Sequence, residues 1–126
     1  MEEDRNEEAL ALYERMLGES ASSDELRDAW RGKGAALANL DRYEEAVTAC
    51  DRALEIDPNY AAAWSSKGGA LACLKRFDEA LVACEHAIAL DPSDAHPWIW
   101  KCLTLTDLQR YEEALDASDR ALALDP

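Results

Sequence analysis

The side chains that could do chemistry are few: three evenly spaced lysines, four cysteines, two histidines and some paired acids. Cys50, Cys73, Cys84 and Cys102 form no Cys-x-x-Cys pair. His86 and His96 are single and phased to a helix surface, so no metal site is expected. Cys50 and Cys84 fall on core-facing positions and read as reduced, buried thiols that act as small apolar side chains. Cys73 lies nearer a presumed groove and is the thiol expected to react. The carboxylate pairs Glu44-Glu45 and Glu112-Glu113 begin helices, where acids favour the positive dipole end. Gly32-Lys33-Gly34 sits mid-helix and is explained by helix packing. The chain has no Gly-rich phosphate loop and no Gly-x-Ser-x-Gly nucleophile. No catalytic residue and no cofactor is expected, so the chain reads as non-enzymatic. Lys33, Lys67 and Lys101 leave two readings open. They form a line of positive charge suited to carboxylates, or their stems pack beneath tryptophans while the ammoniums reach nearby acids or water.

What must position these residues is a repeat. Trp30, Trp64 and Trp98 stand 34 residues apart, and so do Tyr43, Phe77 and Tyr111; Ala46, Ala80 and Ala114; Ala53, Ala87 and Ala121; Pro58, Pro92 and Pro126. Fixed self-similarity of this length means stacked units, each touching mainly its neighbours. Within the central copy, Trp64, Lys67, Gly68 and Leu71 make one helical stripe, and Phe77, Ala80, Leu81, Cys84, Ala87 and Ile88 make a second. Lys75-Arg76 is too short for a long loop, so the two helices pack antiparallel. Gly68, Ala80 and Ala87 are small where backbones approach, and Asp91-Pro92 stops the second helix.

The period, the tryptophan, the small residue after it, the aromatic, the two alanines and the final proline resemble the tetratricopeptide repeat family. The chain is identified as three full repeats plus an N-terminal half-repeat helix. It departs from the family pattern at Lys33, Lys67 and Lys101, where leucine is usual, and at Cys102, which replaces Gly34 and Gly68. The resemblance implies an all-α, right-handed superhelical solenoid of antiparallel helix pairs, about seven helices in all. The expected division is 1–26 as an acidic capping helix and turn, then repeats at 27–60, 61–94 and 95–126.

In such a solenoid the free face of each first helix lines a concave groove. Here that face is Arg31, Gly32, Ala35, Ala38 and Asn39; then Ser65, Ser66, Gly69, Ala72 and Cys73; then His96, Ile99, Trp100, Leu103 and Thr106. The first two sets are small and the third is bulky, so a Trp100-Ile99-Leu103 cluster is the expected contact site. The other reading is that Trp100 packs on Gly69 or Ser66 across the repeat boundary. Some family members grip a chaperone's C-terminal carboxylate through a basic clamp. The matching positions here are Arg31, Ala35, Ser66, His96 and Trp100, and only the first is suitable. The groove is therefore expected to take an apolar peptide or an amphipathic helix from a protein partner.

Net charge of −14 over 126 residues argues against nucleic acid as a partner, since phosphate contacts need a basic face. It also repels anionic membranes and favours partners with basic segments. About half of that excess falls in the first 26 residues. An acidic start at Glu2-Glu3-Asp4 and the lack of a long apolar run leave a cytoplasmic protein as the expectation. Asp4 to Leu17 reads as a helix whose Ala9, Leu12, Tyr13 and Met16 cover the first repeat, with a lengthened turn around Ser20 to Ser23; a flexible acidic arm is the alternative. Ser22 with Glu25 and Asp41 with Glu44 read as capping boxes, with Asn59 and Ser93 as further caps. Leu115, Leu122 and Leu124 should lie on or beside an open end. That leaves end-to-end self-association, or a regulatory fragment of a larger protein, as rival readings to the groove.

Overall fold

The computed structural model describes residues 2–18 and 22–125, with side chains from Arg5 onward; the described residues form seven helices and no strand. In order these are α1 (Glu2–Gly18), α2 (Ser23–Asn39), α3 (Tyr43–Ile56), α4 (Ala61–Cys73), α5 (Phe77–Leu90), α6 (His96–Asp107) and α7 (Tyr111–Leu124). Ser20 and Ala21 of the turn expected around Ser20 to Ser23, and Pro126, lie outside the described residues. The helices α2/α3, α4/α5 and α6/α7 pair as hairpins. Each second helix then packs on the next first helix, α3 on α4 and α5 on α6. The molecule is a solenoid of helical hairpins with α1 laid against α2.

The hairpin turns are alike to the atom. In each, two backbone N–H groups turn back to carbonyls of the helix just ended: Arg42 to Leu37, Arg76 to Leu71 and Arg110 to Leu105, with Asp41, Lys75 and Gln109 bonding one turn inside. This is the Schellman closure, which needs a left-handed residue after the cap. Asp41, Lys75 and Gln109 supply it, each at φ 62°. Asp41 is thus a turn residue and not the expected N-cap of α3. The N-cap position of that helix is Arg42, which makes no side-chain cap. The exposed pairs Arg42–Glu45, Arg76–Glu79 and Arg110–Glu113 recur at the same place, where such pairs add at most about 1 kcal/mol.

Ser22 does cap α2, its hydroxyl accepting from the Glu25 N–H at 3.2 Å. Asn59 and Ser93 do not cap. Their own N–H groups donate to the carboxylates of Asp57 and Asp91 at 3.1 and 3.2 Å, the local turn that aspartate favours ahead of a helix. Pro97 sits in the first turn of α6, as its missing donor allows.

The core is built from one large leucine per repeat and many small residues. Leu37, Leu71 and Leu105 are fully buried at equivalent positions. One buried cluster runs from Leu10 of α1 through Leu37 and Leu71 to Ala83, and a separate one joins Leu81, Leu105, Ala114 and Ala117. Helix spacing is set by glycine facing cysteine. A Cβ added to Gly34 would stand 3.0 Å from Cys50 Sγ, and one on Gly68 2.7 Å from Cys84 Sγ. In the third repeat the bulk has changed sides: Cys102 occupies the glycine position and Ser118 the cysteine position.

Candidate partner-binding groove

First helices of three successive repeats converge on one cleft of about 420 Å³. Ala35, Ala38 and Asn39 come from α2, Ser66, Gly69, Ala70 and Cys73 from α4, and Trp100 from α6, while Asp41 and Tyr43 close the rim. The α-helical rise and the stacking of repeats bring residues 34 apart onto one wall. Trp100 lies on Gly69, where an added Cβ would be 2.7 Å from the indole. Of the two readings of Trp100, packing across the repeat boundary is the one realised, and part of the ring still faces the cleft.

Not every residue on the predicted face reaches this cleft. Ser65 is buried at the boundary with the third repeat. Gly32 is covered by the Tyr13 ring of α1, 2.4 Å from where its Cβ would stand. Ala72 packs against the core, while exposed Thr106 donates its hydroxyl to the Cys102 carbonyl at 2.8 Å. Arg31 donates to the Tyr60 hydroxyl at 3.3 Å, and His96 pairs with Asp94 at 2.9 Å. Ile99 and Leu103 are the larger correction. They stand apart from the cleft around Trp100 and line a second cleft with Cys102, Ser118, Ala121 and Leu122 on the outer face of α6 and α7. The predicted three-residue cluster is divided because α6 turns successive residues through about 100°, placing neighbours on different walls.

The groove also holds three residues the helix-face argument left out: Ala70 on α4, and two at its rim. Asp41 and Tyr43 flank the turn after α2, and the Tyr43 hydroxyl donates to Asp41 at 2.8 Å. That bond, with a smaller effect of Cys73, pushes the phenol up to about 12. Asn39 is tied to α1, its side-chain amide donating to Asn6 Oδ1 at 3.3 Å. The signal available in the sequence was the hairpin turn itself, which must bring its residues to the groove's rim.

Outside the groove, the lysine row takes the packed reading. The Lys33, Lys67 and Lys101 ammoniums stand 5.2, 5.3 and 5.1 Å from the ring centres of Trp30, Trp64 and Trp98. Lys67 meets Asp51 at 2.7 Å and Lys33 meets Glu14 of α1 at 3.8 Å. Glu14 therefore serves Lys33 as Asp51 serves Lys67, which is how α1 stands in for a second helix. Two of the three tryptophans meet a further side chain: Arg52 lies 6.0 Å from the Trp30 ring centre, and His86 stacks on Trp64 at 4.3 Å. His86 is a partner of the tryptophan, which its surface phase did not reveal. At the first repeat boundary Tyr60 donates to Asp28 at 2.8 Å, holding that carboxyl below its usual range, and Arg27 pairs with Asp57 at 2.9 Å.

The thiols separate by burial. Cys50 and Cys84 are buried, and desolvation pushes each up to about 12, whereas Cys73 is exposed and Cys102 half-buried. At pH 8 a group of that pKa is ionised in about one molecule in ten thousand, and only the thiolate reacts. Labelling of the native chain with a disulfide reagent should therefore show one fast thiol (lost in Cys73→Ser), one slower thiol, and two released only in denaturant. Fast labelling of Cys84 would contradict this. The same shifts favour folding below about pH 9, where the unfolded thiol is still protonated. That contribution is lost as pH rises from there toward 12, because the unfolded thiols ionise first.

Among the described residues no three His, Cys, Asp or Glu side chains gather as a metal site, and no helix is long and apolar enough to cross a membrane. Rows of equivalent side chains along stacked hairpins, with a groove on one side, define a helical-repeat scaffold. The chain belongs to the tetratricopeptide repeat family: models of that repeat match residues 28–60 and 61–94. A TPR repeat-containing thioredoxin of Arabidopsis thaliana is 45% identical over 56 residues, 44% of this chain and 8% of that protein. Among solved structures, MamA from Desulfovibrio magneticus RS-1 is 31% identical with a TM-score of 0.81, over 96% of this chain and 67% of that one. The first TPR of Spaghetti (RPAP3), bound to the HSP90 peptide SRMEEVD, is 26% identical with a TM-score of 0.76, over 79% of this chain and 81% of that one. Repeats of this family are in general interaction modules, not enzymes.

Proposed function

We propose that this chain is a non-enzymatic interaction module whose concave cleft holds a segment of a protein partner, extended or as an amphipathic helix. The observation that carries this is the cleft itself, to which three successive first helices contribute small or apolar walls beside Trp100. A similar structure binds a peptide, the acidic sequence SRMEEVD. Here the rim carries Asp41, and Arg31 is engaged by Tyr60. That chemistry suits an apolar side chain next to a lysine or arginine better than an acidic tail.

Selection from a displayed library of random peptides tests the reading. Enriched sequences should pair an apolar residue with a basic one and bind at about micromolar Kd, near −8 kcal/mol. Ser66→Arg, which fills the cleft, should weaken them about tenfold with the melting temperature unchanged, while Asp41→Asn should reduce the preference for the basic residue. Peptides that bind Ser66→Arg as well as the parent would remove the groove from consideration. Trp100→Ala is the poorer probe, because it also uncovers Gly69.

A further inference from the structure

The lysine–tryptophan pair recurs in all three repeats, and the third differs in what it leaves unmatched. Lys33 and Lys67 each meet a carboxylate, Glu14 at 3.8 Å and Asp51 at 2.7 Å. Lys101 and its counterpart Glu85 line one pocket, yet among the described residues they close no ion pair. Trp30 and Trp64 each meet a second side chain, Arg52 and His86. Arg120 holds the equivalent position in the third repeat. Among the described residues, however, Lys101 is the one cation over Trp98, and no ring stacks on it. Asp116 replaces Thr48 and Val82, and among the described residues it has no basic partner.

These groups surround a pocket of about 270 Å³ formed by α5, α6 and α7. That is just under the size typical of drug-like ligands, which suits one small molecule. The matching cleft of the second repeat, at Trp64, Lys67 and Val82, is open with a third repeat stacked behind it. The opening therefore belongs to the hairpin and not to the end of the solenoid.

Charge counting says what fits there. Arg110 and Glu113 pair with each other and cancel. What remains is one ammonium, Lys101, and two carboxylates, Glu85 and Asp116. The complement is a molecule with one carboxylate and two cationic groups, which is a basic α-amino acid. A neutral zwitterion would leave one acid unmatched, and a diamine would leave Lys101 facing no anion.

We propose that this pocket binds a free basic amino acid, arginine in preference to lysine. The α-carboxylate meets Lys101, the α-ammonium and side-chain cation meet Glu85 and Asp116, and the stem lies along Trp98. Arginine is preferred because its planar guanidinium stacks on an indole and pairs with a carboxylate through two N–H groups. None of these residues lines the concave cleft, so the two sites succeed or fail separately.

The test is a titration of L-arginine into the isotope-labelled whole chain at low ionic strength, followed by NMR at the four tryptophan indole N–H signals. Trp98→Phe assigns the Trp98 signal. That signal should shift saturably with a Kd of about 1 mM, while those of Trp30 and Trp64 stay in place. Asp116→Val, which installs the residue of the second repeat, should weaken binding about fivefold. Agmatine lacks the carboxylate and, despite its greater positive charge, should bind the parent about fivefold more weakly than arginine. Lys101→Met should erase that difference, which general attraction of cations to an acidic chain would not predict. Asp116 is exposed and Lys101 half-buried, and melting curves identify a variant that fails to fold. Ser66→Arg should leave binding unchanged; a loss there would move the ligand to the concave cleft and overturn the proposal. N-acetyl-arginine methylamide, which mimics an arginine within a protein, should bind more weakly than the free amino acid. Equal binding would assign the pocket to a partner's side chain instead. No saturable shift at Trp98, equal shifts at Trp64, or a preference over agmatine that survives Lys101→Met would each overturn the proposal as well.

Discussion

Gly68→Cys should lower the stability of the chain by about 3 kcal/mol, a loss of the size that overpacking produces in a closely fitted core. Intrinsic preference points the other way. A glycine in a helix interior is about 1 kcal/mol less favourable than alanine, so replacing it would ordinarily help. Space decides the sign. A Cβ at this position would lie 2.7 Å from Cys84 Sγ, and Cys84 is fully buried and cannot turn aside into solvent. Gly68→Cys combined with Cys84→Ala should recover most of the loss. The double-mutant cycle from urea denaturation should then show a coupling of at least about 1 kcal/mol. The third repeat already carries a version of this exchange, with Cys102 where the glycine stood and Ser118 where the cysteine stood. Strictly additive effects would mean that the glycine is tolerated and not required.

That exchange shows what a periodic sequence reveals and what it hides. Residues whose role lies within one hairpin were legible: Leu71 on the stripe of its first helix, the alanines of each second helix, and Gly68 where backbones approach all follow from helical phase. Residues at a boundary were not, because phase names a face and not what covers it. Arg31, Ser65 and Gly69 share a face with Ser66 and Cys73, yet Tyr60 engages Arg31, Ser65 is buried and Trp100 of α6 lies over Gly69. Ile99 and Leu103 share that same face but line the separate cleft on the outer side of α6 and α7. The turns misled for another reason. Aspartate at Asp41 fits both an N-cap and a left-handed turn residue, and the bond from Arg42 to Leu37 selects the turn. Once Asp41 is there, it reaches Tyr43 and shapes the rim of the groove.

The second large effect concerns how far a defect spreads. Leu71→Ala and Leu105→Ala each remove a fully buried leucine, and each should cost about 3 kcal/mol. They should not cost it in the same places. Leu71 belongs to the cluster that runs from Leu10 to Ala83 and holds α1 through α5 together, whereas Leu105 sits in a smaller cluster with Leu81, Ala114 and Ala117. In a solenoid, stability is the sum of unit and nearest-neighbour contributions, so a repeat with one neighbour can open alone. Native-state hydrogen exchange should therefore find α6 and α7 amides about a hundredfold less protected in Leu105→Ala, with α2 and α3 close to the parent. Leu71→Ala should lower protection in α2 to α5 by a similar factor and carry α6 with it, because α6 rests on α4 and α5. A uniform loss across all helices in Leu105→Ala would show a single cooperative unit. In that case the third repeat would be as firmly held as the second, despite the open face beside it.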